Sequence, residues 1–285
     1  MFFVYTQFLL LNILSKSPLY SKSGKNELIY FLLYSKILLN GGDIFMDSII
    51  TLDELCNNIK EEKGYTTIRA CIYEINRMIN DKKIYKISPK IYMVGNKDTF
   101  SLNRRKINED IINELVNKYD INFVLWDISV LNNWLNHLIN STAMILEVEK
   151  DYIDFVFDFL KEKYNVLKNP TLNELSDYLS NNTIILKPLI SKSPINNKDK
   201  SPKIEKIIVD IFSDRIINYF YEGKEIVNML EEIFSKYAIN YKTMFAYAKR
   251  RSVLDELKQF LTNNSICEKY CLCEYFAWIA PAIRS

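Results

Sequence analysis

The sequence predicts a mixed α/β protein, and three observations carry that expectation. Two helix-period stretches and two short alternating runs follow one another within ~50 residues near the start of the folded region. Through the middle of the chain, strand-length apolar runs alternate with amphipathic helical stretches, the pattern of a small open sheet. Beyond residue 202 the apolar stripes recur at three and four residues, which is the helical period.

Composition supports a folded chain and narrows its chemistry. The 285 residues are 48% apolar, with 37 Lys+Arg against 35 Asp+Glu, a net charge of +2 that creates no global attraction to nucleic acid or membrane. Any basic partner surface is therefore local. One histidine, His137, disfavours zinc and paired-histidine metal sites. Six glycines, with Gly24, Gly41 and Gly42 before residue 46, leave no P-loop and no dinucleotide-binding turn. No cofactor and no metal are expected, and the protein is expected not to be an enzyme. Five cysteines (Cys56, Cys71 and the group Cys267, Cys271, Cys273) show no secreted disulfide framework, so a cytoplasmic setting with reduced cysteines is expected. The apolar run 1–14 contains Gln7 and Asn12 and is too short to cross a bilayer, so neither export nor a membrane span is expected.

The first element is irregular. Residues 1–45 carry only Glu27 and Asp43 as acids, and the pattern changes after Met46. Gly41-Gly42-Asp43 back-translates to a purine-rich ribosome-binding sequence, and Ile44-Phe45 supplies a short spacer before Met46. Residues 1–45 are read either as a non-native leader preceding a start at Met46 or as an extra helix over 26–39.

Residues 46–99 contain a capped helix start at Thr51-Leu52-Asp53-Glu54, a turn at 61–65 holding Gly64, and a second helix from Thr66-Thr67. Spacing places Ile68, Cys71, Ile72, Ile75, Met78 and Ile79 on one apolar stripe of that helix and Thr66, Thr67, Arg69, Ala70, Tyr73 and Arg77 on the other face. The alternating runs 84–87 and 91–94, joined by Ser88-Pro89-Lys90, form a hairpin. This order is that of a winged helix-turn-helix, whose second helix enters the DNA major groove. Residues 66–97 hold Arg69, Arg77, Lys82, Lys83, Lys86, Lys90 and Lys97 against Glu74 and Asp81, so the local charge suits phosphate. The candidate DNA-binding residues are Thr66, Thr67, Arg69, Ala70, Tyr73, Arg77, Lys86 and Lys90.

Residues 100–190 read as an α/β domain: a helix from Arg104-Arg105-Lys106, a strand at 122–128, a helix at 131–139, a strand at 142–148, a helix at 151–163, short strands at 164–167 and 183–186, and a helix at 171–179 capped by Thr171 with Glu174. Asp127, Glu147 and Glu149 are the candidate ligands of a magnesium site, although two or three carboxylates without a correctly spaced lysine are a weak signal. His137 reads as a structural hydrogen-bonder. Residues 191–202 read as a polar linker, 203–262 as a helical region, and 263–285 as an irregular tail. The triplet Lys249-Arg250-Arg251 at a helix end suits the helix dipole and is a possible partner-binding patch.

The order of these elements, with Phe123-Val124-Leu125-Trp126-Asp127, Leu146-Glu147-Val148-Glu149-Lys150-Asp151, Ile185-Leu186-Lys187-Pro188-Leu189, Lys203-Ile204-Glu205-Lys206-Ile207-Ile208-Val209-Asp210 and Tyr247-Ala248-Lys249-Arg250-Arg251, resembles the AbiEi-like antitoxins of bacterial abortive-infection systems over residues 46–262. The resemblance implies a toxin-antitoxin component that represses its own double-stranded promoter through the winged helix and counteracts a cognate nucleotidyltransferase-like toxin in phage defence. Two other classes stay open from the residues alone: a magnesium-dependent nuclease docked on DNA by the winged helix, and a transcription factor whose α/β domain senses a small ligand.

Overall fold

The computed structural model describes residues 49–221, 223–273 and 275. The start at Met46, the reading of residues 1–45 and the end of the tail beyond residue 275 lie outside them. The described chain forms two compact units, residues 49–84 with 90–95, and residues 85–89 with 96–275.

The first unit is built from β1 (Ile49–Thr51), α1 (Leu52–Lys63), α2 (Ile68–Asn80) and β3 (Ile91–Val94). With β2 (Ile84–Ser88) the strands run in the order β1-β3-β2, and β1 pairs antiparallel with β3, Ile49 opposite Met93. Local chemistry sets the helix ends. Glu54 N–H donates to Thr51 Oγ1 at 3.2 Å while Thr51 N–H donates to Glu54 Oε2 at 3.0 Å, a reciprocal capping box. Gly64 ends α1 at φ +67°, a left-handed position that a Cβ would strain, and its N–H donates to Lys60 O at 2.9 Å. Thr67 caps α2 by accepting from Ala70 N–H. Leu55, Cys56 and Ile59 of α1 pack with Cys71, Ile75 and Met78 of α2 and with Ile50, Ile84, Tyr92 and Val94.

The inward face of α2 differs from the one its spacing suggests. Ile68 and Ile72 are exposed, at 60% and 43%, while Glu74 is buried among the apolar residues. Both sets of positions fit a 3.6-residue period, and the Lys63–Glu74 ion pair at 2.5 Å holds Glu74 inward toward α1.

The second unit centres on a four-stranded sheet of β4 (Phe123–Asp127), β5 (Met144–Val148), β6 (Val166–Lys168) and β7 (Ile184–Pro188), in the order β4-β5-β7-β6. β5 and β6 run parallel to β7, and β4 is antiparallel to β5. One sheet face, with Phe123, Leu125, Met144, Leu146, Ile184 and Leu186, packs against α3 (Lys106–Lys118) and α4 (Ile153–Leu160) through Ile111, Leu115, Val156 and Leu160. α5 (Leu172–Tyr178) starts with a second capping box, Thr171 with Glu174. The opposite sheet face meets α6 (Ile204–Ser213), in which every residue from Ile204 to Ile211 is buried. A short α7 (Arg215–Asn218), α8 (Ile226–Lys236), α9 (Tyr241–Arg250), α10 (Leu254–Asn263) and α11 (Ile266–Lys269) complete the helical layer, α8 and α9 packing on α6. The chain is thus a mixed α/β protein with small sheets and C-terminal helices.

Five expectations are corrected in this unit. The helix expected at 131–139 is a 3-10 turn over Ile128–Asn133 followed by irregular chain. Asn132 brackets Ile139, its Oδ1 accepting from the N–H at 2.7 Å and its Nδ2 donating to the carbonyl at 3.0 Å, so a side chain takes the backbone bonds a helix would use. The expected linker 191–202 carries the antiparallel pair β8 (Ile195–Asn196) and β9 (Ser201–Pro202), and Leu125 N–H donates to Lys200 O at 3.0 Å, which ties this excursion to β4. No domain boundary falls between the sheet and the helices, because residues 96–275 form one unit. The expected irregular tail is packed as far as Tyr275: Ile266, Cys267, Tyr270, Leu272 and Tyr275 are buried, and Tyr241 OH donates to Tyr270 O at 2.9 Å. Cys267 and Cys273 form a disulfide, their Cα atoms 5.4 Å apart, where the sequence suggests reduced cysteines.

Candidate nucleic-acid interface and a buried ion cluster

α2 turns two adjacent rows of side chains outward. Ile68, Ile72 and Asn76 form one row, and Arg69, Tyr73 and Arg77 the other, each row at four-residue spacing and all six residues exposed. Thr66 and Thr67, at the start of the helix, are exposed, and Ala70 is half-buried. Tyr73 is 71% exposed, an unusual position for a large aromatic side chain. Among the described residues Arg69 has no ion-pair partner, whereas Arg77 lies 3.5 Å from Glu74 and 3.9 Å from Asp81. Lys90, at φ +62° in the hairpin turn, is exposed. Lys86 is exposed on β2, in the stretch 85–89 that belongs to the other unit.

A second constellation, unforeseen in the sequence, lies between sheet and helices of the larger unit. Lys206 of α6 is fully buried, its Nζ 2.8 Å from Glu147 Oε1 on β5 and 2.5 Å from Asp210 Oδ2 one helical turn on. Tyr247 OH of α9 donates to Asp210 Oδ1 at 2.9 Å, and its ring centroid lies 5.6 Å from Lys206 Nζ. Arg251 Nη2 lies 3.3 Å from Asp214 Oδ2 and donates to Ser213 Oγ, and Lys187 of β7 completes the chain by pairing with Asp214. Three acids thus meet three bases in one buried network.

Burial and neighbouring charges shift the ionisable groups of the network in opposite directions. Burial pushes the Glu147 carboxyl up from its ordinary range, against the pull of Lys206. Burial acts to lower Lys206, and Asp210 and Glu147 outweigh it, holding the ammonium above its usual range. Asp214 would rise through burial, but Lys187 and Arg251 keep it below the usual carboxylate range. Burial next to Asp210 raises the Tyr247 phenol. These ion pairs and hydrogen bonds fasten α6 and α9 to β5 and β7.

The same geometry separates the carboxylates considered for a metal. Phe123, Leu125 and Asp127 share one sheet face, whereas Glu147 sits opposite Val124 and therefore points to the other. Arg105 pairs with Asp127 and also donates to Thr142 O at 2.9 Å, while Glu149 accepts from Asn122 N–H and Nδ2. Asp127, Glu147 and Glu149 thus serve three separate partners. Among the described residues no group of three His, Cys, Asp or Glu side chains is placed to hold a metal ion.

Other candidate residues are redistributed. Arg251 belongs to the buried network, its side chain 17% exposed, because Asp210 and Asp214 draw it inward. Lys249 and Arg250 stay exposed, and Arg250 donates to Ser191 Oγ at 3.0 Å. His137 is exposed in the loop before β5 rather than bracing the interior. A cavity of about 390 Å³ opens where the parallel strands β5 and β7 end, lined by Asn122, Glu149, Lys150, Ser191, Lys192 and Ser193 among others.

Comparison with known proteins places the chain in a family. Residues 51–266 match the family described as "Family of unknown function (DUF6577)", and the chain belongs to it. It is 26% identical over 145 residues to "Protein SEY1 homolog" of Plasmodium berghei (strain Anka), a match covering 51% of this chain and 15% of that protein, so the chain spans only a small part of that relative. Among solved structures it is similar to the "RV2827C protein from Mycobacterium tuberculosis", at 12% identity and a TM-score of 0.29, over 73% of this chain and 71% of that one. No helix among the described residues is long and apolar enough to cross a membrane.

Proposed function

We propose that this protein is a DNA-binding transcriptional autorepressor that lays α2 in the major groove of its own promoter, and that its larger unit serves as the antitoxin module against a cognate nucleotidyltransferase-like toxin. The observation that carries the DNA reading is the outward face of α2: exposed Arg69 and Tyr73 beside exposed Thr66 and Thr67, at the helix start that a reading helix presents to base edges. The order β1-α1-α2-β2-β3 supports a winged helix-turn-helix, with Lys90 in the hairpin turn as a phosphate contact. The antitoxin role rests on the family resemblance of the sequence elements, and the cytoplasm is the matching location. The buried network supports a binding role for the larger unit, since its ionisable groups are matched to each other and fasten a scaffold.

The test joins two measurements. Full-length protein is titrated against the duplex upstream of its own gene and against a scrambled duplex, and it is co-expressed with the neighbouring gene product under growth challenge. Selective duplex binding that Arg69→Ala weakens, together with growth rescue, supports the reading. Equal affinity for both duplexes, or growth arrest that co-expression leaves unrelieved, overturns the corresponding half. The cavity at the ends of β5 and β7 favours, as a second reading, a regulator whose larger unit binds a small ligand, tested by thermal shift against a metabolite panel.

A further inference from the structure

We infer that α2 reads thymine 5-methyl groups through Ile68 and Ile72, so that the duplex it selects is rich in A·T pairs in the major groove; this rests on the DNA-binding reading of the same helix. Two isoleucines exposed at 60% and 43% lie one turn apart on the outward face, at the N-terminal half of the helix. In the major groove the hydrogen-bonding edges of the bases repay Arg, Asn, Gln, Glu and Ser, and the one apolar group on offer is the thymine methyl. Ile68 and Ile72 have no hydrogen-bonding group to offer and would leave guanine or cytosine edges desolvated without a partner.

The polar neighbours are placed for other work. Thr67 Oγ1 accepts from Ala70 N–H as the helix cap, and Arg77, between Glu74 and Asp81, is held toward the far end of the helix. Arg69 and Tyr73 flank the isoleucine row on one side. The occupant is a polyanion rather than an apolar protein surface, because Arg69, exposed beside the isoleucine row, has no ion-pair partner among the described residues and Lys90 is exposed in the hairpin turn of the same unit.

The experiment uses the full chain and the promoter duplex in two forms, one with thymine throughout and one with deoxyuridine in its place, which preserves pairing and removes only the methyl groups. Each methyl lost from an apolar contact is expected to weaken binding about fourfold, so a contact with two or three methyls gives roughly a 15- to 60-fold loss. Ile68→Ala with Ile72→Ala is expected to bind the thymine duplex more weakly and to respond less to the exchange. Equal wild-type affinity for the two forms, with selective binding kept, overturns the methyl inference and leaves the DNA reading standing. Absence of selective binding to either form overturns both. The wild-type comparison decides the matter even if the double variant folds poorly.

Discussion

Lys206 Nζ on α6 lies 2.8 Å from Glu147 Oε1 on β5, and the two side chains are 0% and 4% exposed. They are 59 residues apart in sequence, so this contact joins the helical layer to the sheet. Lys206→Met leaves Glu147 and Asp210 buried without their cation and is expected to cost about 3–5 kcal/mol. Adding Glu147→Gln to that variant is expected to return part of the loss. Urea unfolding of the four proteins in the cycle checks both; a loss below about 1 kcal/mol in Lys206→Met would refute the account.

Tyr247 OH donates to Asp210 Oδ1 at 2.9 Å inside the same network. Tyr247→Phe removes that donor and little volume. A hydrogen bond to a buried charge predicts a loss of about 1.5–3 kcal/mol, read as a lower urea midpoint at unchanged slope.

Acid should unfold this protein partly through Asp214. Its carboxyl is held below the ordinary range by Lys187 and Arg251 against the effect of burial. A depressed folded value means the stabilisation is fully present above the unfolded value of about 3.9 and is lost as pH falls through the lower folded value. The stability gap between wild type and Asp214→Asn is therefore expected to be constant from pH 7 to about pH 5 and to close below about pH 4. A gap that stays constant to pH 3 contradicts the assignment.

The two capping boxes are independent tests of local design. Thr51→Ala and Thr171→Ala each leave a first-turn N–H without its acceptor and are expected to cost about 1 kcal/mol, close to additively. Circular dichroism during denaturant titration measures each loss.

On DNA, Arg69→Ala is expected to reduce the slope of log affinity against log salt by about one if this side chain meets phosphate. Lys90→Ala is expected to act the same way and, because alanine keeps the Cβ at a positive φ, to leave the turn otherwise unchanged. Binding measured across a salt series separates these effects from loss of fold.

Much of the local structure was readable beforehand. Thr51 with Glu54 and Thr171 with Glu174 mark helix starts by residue type and spacing, and the strand runs around Phe123, Met144 and Ile184 stand out as apolar stretches. The helix expected at 131–139 does not form, and apolar spacing carries no trace of Asn132 closing on Ile139. Arg251 looked like a surface base in a helix-end triplet, and no local feature distinguished it from Lys249 and Arg250.

The buried cluster was out of reach for a plainer reason. Its members come from β5, β7, α6 and α9, and they read in the sequence as ordinary charged residues on amphipathic elements. A charge in an apolar interior is stable only beside its counterion, and that proximity is created by folding.

By itself the sequence determined most of the element types, the capped helix starts at Thr51 and Thr171 and the basic bias of residues 66–97. Tertiary structure alone decided that Ile68 and Ile72 face outward, that Asp127 and Glu147 stand on opposite sides of a sheet, and that Lys206 finds its acids. Helical and strand periods are properties of the local backbone, whereas the phase that turns one face inward depends on long-range packing and on which buried charges can be matched.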